Sequence, residues 1–214
     1  MTVERNTARI ALGAGLAALV ITALVTAGLT TAIDGALLNA MKGLVRNAMT
    51  RETLRDITAL GSFAVLGIAV LGAVGYLVAG ERWRRGVMLL ASALGATLAS
   101  TLLKIGIDRS RPQGGDLVPQ TFTASFPSGH AFLSAAVLLT IGGMLARAAR
   151  HPGERRVVLA FSIALTIAIG TSRVLLGVHW PSDVLAGWCF GAMWAAATLA
   201  LTPSGASQEM PVDR

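Results

Sequence analysis

The chain has 214 residues, of which 54% belong to the apolar set AVILMFWYC and 24 more are glycine. Charged residues make up 14% and the mean hydropathy is +0.66, whereas soluble domains carry roughly 25% charge; a disordered chain and an ordinary soluble fold are both excluded, leaving the bilayer as the solvent. The formal charge of +7 does not select nucleic acid as a partner, because Lys and Arg fall in short clusters between apolar stretches with no interleaved aromatics.

In chain order, 24 uncharged residues lie between Arg9 and Asp34 and another 24 between Asp56 and Glu81. At 1.5 Å rise per residue either stretch crosses a hydrocarbon core of about 30 Å. Shorter apolar runs follow at 86–103, 131–146 and 157–172, and a longer one at 184–208. These six segments predict an all-α polytopic membrane protein with six transmembrane helices. The first is too long for a signal-peptide core and no clean A-x-A site follows it, so it reads as a retained helix. Between spans one and two, Ile33, Leu37, Leu38, Met41, Leu44, Val45, Ala48 and Met49 recur at helical spacing, with Asn39, Lys42, Arg46 and Asn47 between them. This predicts an interfacial amphipathic helix over 33–49, either packed on the bundle or lying against anionic headgroups to guide a lipid. Residues 1–202 read as one membrane domain and 203–214 as a short polar tail. The only cysteine, Cys189, lies inside an apolar run, which leaves no intramolecular disulfide and no cysteine zinc site.

An even number of spans puts both termini on one side with loops 80–86 and 147–156, and puts segments 31–56, 104–130 and 172–183 on the other. The first side carries ten Arg and Lys residues, including Arg82, Arg84, Arg85, Arg155 and Arg156, and the second carries eight. The positive-inside rule makes the first side cytoplasmic, so both termini are expected inside and loops three and five outside.

Three groups of polar residues fall on that outward side. In KIGIDRSRP, Lys104 and Arg111 stand seven residues apart, so a helix continuing past the interface would project both cations from one side. Pro112 ends such a helix near Arg111. A pair of cations there suits a phosphate, although snorkelling side chains give the same spacing. Asp108, four residues from Lys104, reads as a restraint on it, and Asp116 has no assigned role. In PSGH, Ser128 is a helix N-cap, Gly129 lets the backbone approach a ligand, and His130 lies at the mouth of an anion-attracting helix start. In SRVLLGVHWPSD, Pro181 fits the first turn of the last span, so Asp183 can turn back to His179. A carboxylate–histidine pair fixes the tautomer and leaves the other ring nitrogen as a nucleophile, and the same pair could instead serve only as a cap. Two histidines and one aspartate crowded by three cations are a poor divalent-metal site. His151, before Pro152, reads as a surface residue.

Taken together, K-x6-RP, PSGH and SR-x5-H-x3-D, in this order, resemble the three-part signature of the type 2 phosphatidic acid phosphatase superfamily. The likeness to its small six-helix bacterial members runs from about Ile57 to Trp194. The resemblance implies metal- and cofactor-independent hydrolysis of a lipid phosphate through a phosphohistidine. His179 would be the nucleophile oriented by Asp183, and His130 the acid on the leaving oxygen. Lys104, Arg111, Ser128, Gly129 and Arg173 would hold the phosphate. The substrates it implies are phosphatidate, phosphatidylglycerophosphate, undecaprenyl diphosphate or lipid A, met at the outer face of a bacterial inner membrane. Two alternatives stay open at this point: a lipid phosphotransferase using the same site with a non-water acceptor, and an anion transporter. Oligomeric state is not legible.

Overall fold

The computed structural model describes residues 2–45, 47–113 and 123–202, with side chains from residue 6 onward. Every regular element among them is helical: α1 (Thr2–Thr26), α2 (Thr31–Lys42), α3 (Ala48–Ala59), α4 (Phe63–Ala79), α5 (Trp83–Ile107), α6 (Gly129–Ala148), α7 (Pro152–Leu175) and α8 (Pro181–Leu201). Five of them are long and apolar enough to cross a membrane, counting Asn6–Thr26 within α1. The second predicted span, 57–80, is broken: α3 and α4 meet at 43°. The break falls where Ser62 caps α4 by accepting from the Val65 amide at 3.3 Å. The chain is thus a multi-pass membrane protein built of helices.

The predicted amphipathic helix over 33–49 is also divided. It stops at Lys42 with Gly43 as its cap, and Asn47 opens α3 by accepting from the Thr50 amide at 2.7 Å. Two strong boundary residues outweigh a continuous apolar period. In α2, Leu38 is buried against Ala131, Val174 and Val184, whereas Ile33 and Leu37 are exposed. Packing on the bundle is therefore one confirmed task of this segment. Asp34 is also buried, at 2% exposure, although the pattern had placed it at the end of a span.

Helices α6 and α8 form the centre, with α1 along α8, α7 along α6, and α4 and α5 on the remaining flank. Apolar burial alone does not drive helices together in lipid, where the tails are as apolar as Leu, so close backbone packing by small residues does more of the work. A Cβ at Gly187 would stand 2.9 Å from the Ser128 carbonyl oxygen, and one at Gly191 would come still closer to the α6 backbone, at the Phe132 carbonyl. This contact brings the start of α6 against the start of α8, where the Ser128 amide donates to the Asp183 carbonyl at 3.0 Å. Leucines such as Leu94, Leu98 and Leu102 on α5 and Leu12, Leu16 and Leu19 on α1 stay exposed, consistent with faces turned to lipid.

Candidate active site

The C-terminal ends of α5 and α7 and the N-terminal ends of α6 and α8 converge at one end of the bundle, with the α7–α8 loop among them. The Arg-rich turns between α4 and α5 and between α6 and α7 lie at the other end. Lys104, Arg111, Ser128, Gly129, His130, Arg173, His179 and Asp183, predicted from three separate motifs, all belong to the first end.

His179 is 1% exposed and sits just before Pro181, the first residue of α8. Its Nδ1 lies 3.4 Å from Asp183 Oδ2 and its Nε2 lies 3.2 Å from an Arg111 Nη1. The tautomer that satisfies both contacts carries its proton on Nδ1 and leaves the Nε2 lone pair facing the cations. Burial pushes the imidazole down to about 3, with Arg111 and Arg173 adding to the shift and Asp183 opposing it. His179 is therefore neutral across the physiological range, as a nitrogen nucleophile must be.

Asp183 is fully buried and its oxygens have separate partners. Oδ2 accepts from the Trp180 amide at 3.0 Å and from the Ser125 hydroxyl, and faces His179. Oδ1 accepts from Arg109 at 2.6 Å.

The cations arrive by routes that differ from the expected ones. Helix α5 ends at Ile107, where Asp108 adopts a left-handed φ of 43° as its cap. Lys104 and Arg111 therefore do not share a helix face, since Arg111 reaches the site from the loop. Its Nη1 donates to the Val178 carbonyl at 2.9 Å and its Nε to the Thr123 carbonyl at 2.9 Å. Burial pulls this guanidinium below its ordinary range, against the pull of Asp183. Lys104 is restrained by the Ala124 carbonyl at 2.8 Å rather than by Asp108. Arg173 is 4% exposed and donates one Nη to Thr58 Oγ1, on α3, at 3.1 Å. Asp116 lies outside the described residues.

Ser128 occupies the N-cap position of α6, yet its hydroxyl makes no capping bond. Among the described residues three buried side-chain polar atoms have no partner, and two of them, Ser128 Oγ and Arg173 Nε, belong to this site. A buried polar atom left unpaired costs about 1–3 kcal/mol, so such atoms point to a polar ligand. At Gly129 an added Cβ would meet the Lys104 stem at 3.6 Å, which places the first free amide of α6 beside that lysine. His130, the second residue of α6, stands within electrostatic range of Arg173, His179, Lys104 and Arg111, and Gly61 backs its ring. The arrangement offers a neutral nitrogen nucleophile, its carboxylate, a ring of cations and amides for an oxyanion, and a second imidazole for proton transfer. Among the described residues no three His, Cys, Asp or Glu side chains gather as metal ligands.

Sequence reasoning missed four participants: Arg109, Asp34, Ser125 and Ser182. Arg109 Nη2 pairs with Asp34 Oδ2 at 2.7 Å. Ser182 donates to Asp34 from its amide at 2.9 Å and from its hydroxyl at 2.6 Å. The available signals were an ionisable residue at the end of an apolar span and a third cation inside the K-x6-RP stretch.

Residues 85–204 match the profile of the PAP2 superfamily. The chain is 33% identical over 154 residues to phosphatidylglycerophosphatase B of Bacillus subtilis, covering 69% of this chain and 73% of that protein. It is 33% identical over 176 residues to lipid A 1-phosphatase of Rhizobium etli, covering 72% of each. In structure it is similar to the crystal structure of a transmembrane PAP2 type phosphatidylglycerolphosphate phosphatase from Bacillus subtilis, with a TM-score of 0.81, 27% identity, and coverage of 88% of this chain and 93% of that one. With more than half of its length matched by the profile and its three motifs folded to one end of the bundle, the chain belongs to the PAP2 superfamily and is a membrane phosphatase.

Proposed function

We propose that the chain hydrolyses a lipid phosphate or diphosphate through a phosphohistidine on His179, at the outer face of a bacterial inner membrane. The observation that carries this reading is the setting of His179: Nδ1 is turned to Asp183 and Nε2 to Arg111, so one lone pair faces a group of phosphate-binding cations.

In the first half-reaction His179 Nε2 attacks phosphorus and the bond from phosphorus to the lipid oxygen breaks. The leaving oxygen takes its proton from His130. Lys104, Arg111, Arg173, the Ser128 hydroxyl and the Gly129 amide hold the non-bridging oxygens, and Asp183 offsets the positive charge on the substituted imidazole. In the second half-reaction neutral His130 takes a proton from water, whose oxygen attacks phosphorus. The N–P bond breaks, its electron pair returns to His179, and phosphate leaves.

The surroundings favour an amphiphile. An apolar groove of about 490 Å³ runs between α5, α6 and α8, lined by Leu103, Ile107, Phe132 and Phe190, close in sequence to Lys104 and His130. A more polar cavity of about 420 Å³ opens beside Arg111, with Asn39, Lys42, Ser110 and Gln113 on its wall. A chain in the groove and a headgroup in the polar cavity match the substrate types named by the relatives, phosphatidylglycerophosphate and lipid A. The outward orientation rests on the Arg-rich turns 80–86 and 147–156 at the opposite end, by the positive-inside rule.

The test is trapping. Rapid acid-free quenching of enzyme mixed with [32P]phosphatidate in detergent micelles should give an acid-labile, base-stable label that His179→Ala abolishes. Label persisting in that variant would overturn the nucleophile assignment.

A further inference from the structure

The catalytic carboxylate is not held by the α7–α8 loop alone. Arg109 bridges two buried carboxylates from distant parts of the chain, with Nη1 at 2.6 Å from Asp183 Oδ1 and Nη2 at 2.7 Å from Asp34 Oδ2. The same guanidinium donates to Ser182 Oγ at 2.8 Å and to Thr30 Oγ1 at 3.3 Å, and it lies 5.6 Å over the Trp180 ring. Asp34 in turn accepts from the amide of Ser182, the second residue of α8. A carboxylate from α2 thus satisfies one of the free amides at the start of the helix that carries Asp183, where the helix dipole also favours an anion.

Stability alone explains this arrangement poorly. A buried ion triad repays its desolvation only with near-ideal geometry, and an apolar replacement of similar volume is often as stable or more so. Its geometry has a chemical consequence instead. With Oδ1 occupied by Arg109 and Oδ2 by Ser125, the Trp180 amide and His179, the carboxylate has one orientation available. Two carboxylates and one guanidinium leave a single net negative charge next to an imidazole that turns cationic during the reaction.

We propose that Asp34 and Arg109 are positioning residues for phosphoryl transfer: Arg109 fixes the Asp183 carboxylate against His179 Nδ1, and Asp34 fixes Arg109, which makes the docking of α2 part of the active site. This inference rests on the reading of His179 as the nucleophile. Both residues are engaged by protein partners, Arg109 by the two carboxylates and Asp34 by Arg109 and Ser182, so both act on the chemical step through Asp183.

The experiment measures phosphoenzyme formation by rapid quench with [32P]phosphatidate in detergent micelles, together with KM and the thermal midpoint, in the full chain. Asp34→Asn and Arg109→Lys should slow labelling on the order of 10-fold and Arg109→Gln on the order of 100-fold, with KM within about 2-fold of wild type. In an Asp183→Ala background each of the three should change the residual rate by less than about 2-fold, because the group through which they act is gone. A merely structural role predicts the reverse, the same proportional loss in both backgrounds, following the thermal midpoint. If Arg109→Gln does not fold, Asp34→Asn and Arg109→Lys decide the matter. Wild-type labelling rates in those two variants, or full additivity with Asp183→Ala, would overturn the inference while leaving the nucleophile in place. A wild-type enzyme without His179-dependent label would overturn the nucleophile reading and this inference with it.

Discussion

Gly129→Ala separates a structural glycine from one that receives a ligand. The Cβ it adds would lie 3.6 Å from Lys104 Cε and 3.8 Å from Ser100 Oγ, both ordinary contacts that require no movement of the protein. The position is the first of α6, and replacing Gly by Ala inside a helix gains about 0.5–1 kcal/mol, with a smaller gain in the first turn. The thermal midpoint should therefore hold or rise slightly. The effect on the reaction has the opposite sign. A phosphate oxygen accepting from the Gly129 amide must come to about 2.9 Å, whereas a methyl carbon and an oxygen approach to only about 3.3 Å. The added methyl would stand beside the Lys104 stem, in the space an oxygen needs to reach the amide and the ammonium together, and a misplacement of about 1 Å costs on the order of 100-fold in rate, or about 2.7 kcal/mol of barrier. Phosphate release from phosphatidate micelles, measured beside a thermal melt of the same preparation, tests both signs together. Full activity would remove the Gly129 amide from the phosphate cradle, and a loss that follows a lowered melting point would make the glycine structural.

Replacing His130 with Ala should slow hydrolysis of an alkyl phosphate far more than that of an aryl phosphate with an acidic leaving group, since the latter needs no proton; equal losses on both would count against the acid role. His179 has a folded pKa near 3, below its ordinary 6.5, so the unfolded chain binds the extra proton between these values. Its contribution to stability is therefore complete above pH 6.5 and is lost as pH falls towards 3. The melting point of the wild type should fall more steeply over pH 6.5 to 4 than that of His179→Gln, and parallel curves would refute the buried neutral state. For orientation, single cysteines at Gln113 and Gly153 in a Cys189→Ala background should show the first labelled and the second protected when intact spheroplasts meet a membrane-impermeant thiol reagent. The opposite pattern would place the site on the inner leaflet.

What was legible in the sequence was local. His179 and Asp183 are four residues apart with Pro181 starting a helix between them, so chain stereochemistry alone brings carboxylate to imidazole. PSGH likewise encodes a helix start, and the unpaired Ser128 hydroxyl distinguishes a ligand group from a cap where the tetrapeptide could not. Periodicity found the apolar spans and the amphipathic segment but overran the break at Gly43 in the latter and at Ser62 in the second span, because an apolar pattern continues through a bend that a single capping residue imposes.

What escaped was pairing at a distance. Asp34 and Arg109 are 75 residues apart in sequence, and each alone resembles an ordinary charge near an interface. Only the packing of α2 on α7 and α8 makes them partners of Asp183. The same limit applied to Lys104 and Arg111, which reach the same end of the bundle from a helix and from a loop rather than from one helix face. Two cations can converge on an anion from any backbone route, so a phosphate-binding reading of such a pair does not depend on a shared helix face. In a membrane a buried charge costs too much to be incidental. Buried charges that a linear reading leaves unassigned, such as Asp34 with its partner Arg109, are therefore where groups acting on the site from beyond its motifs are to be sought.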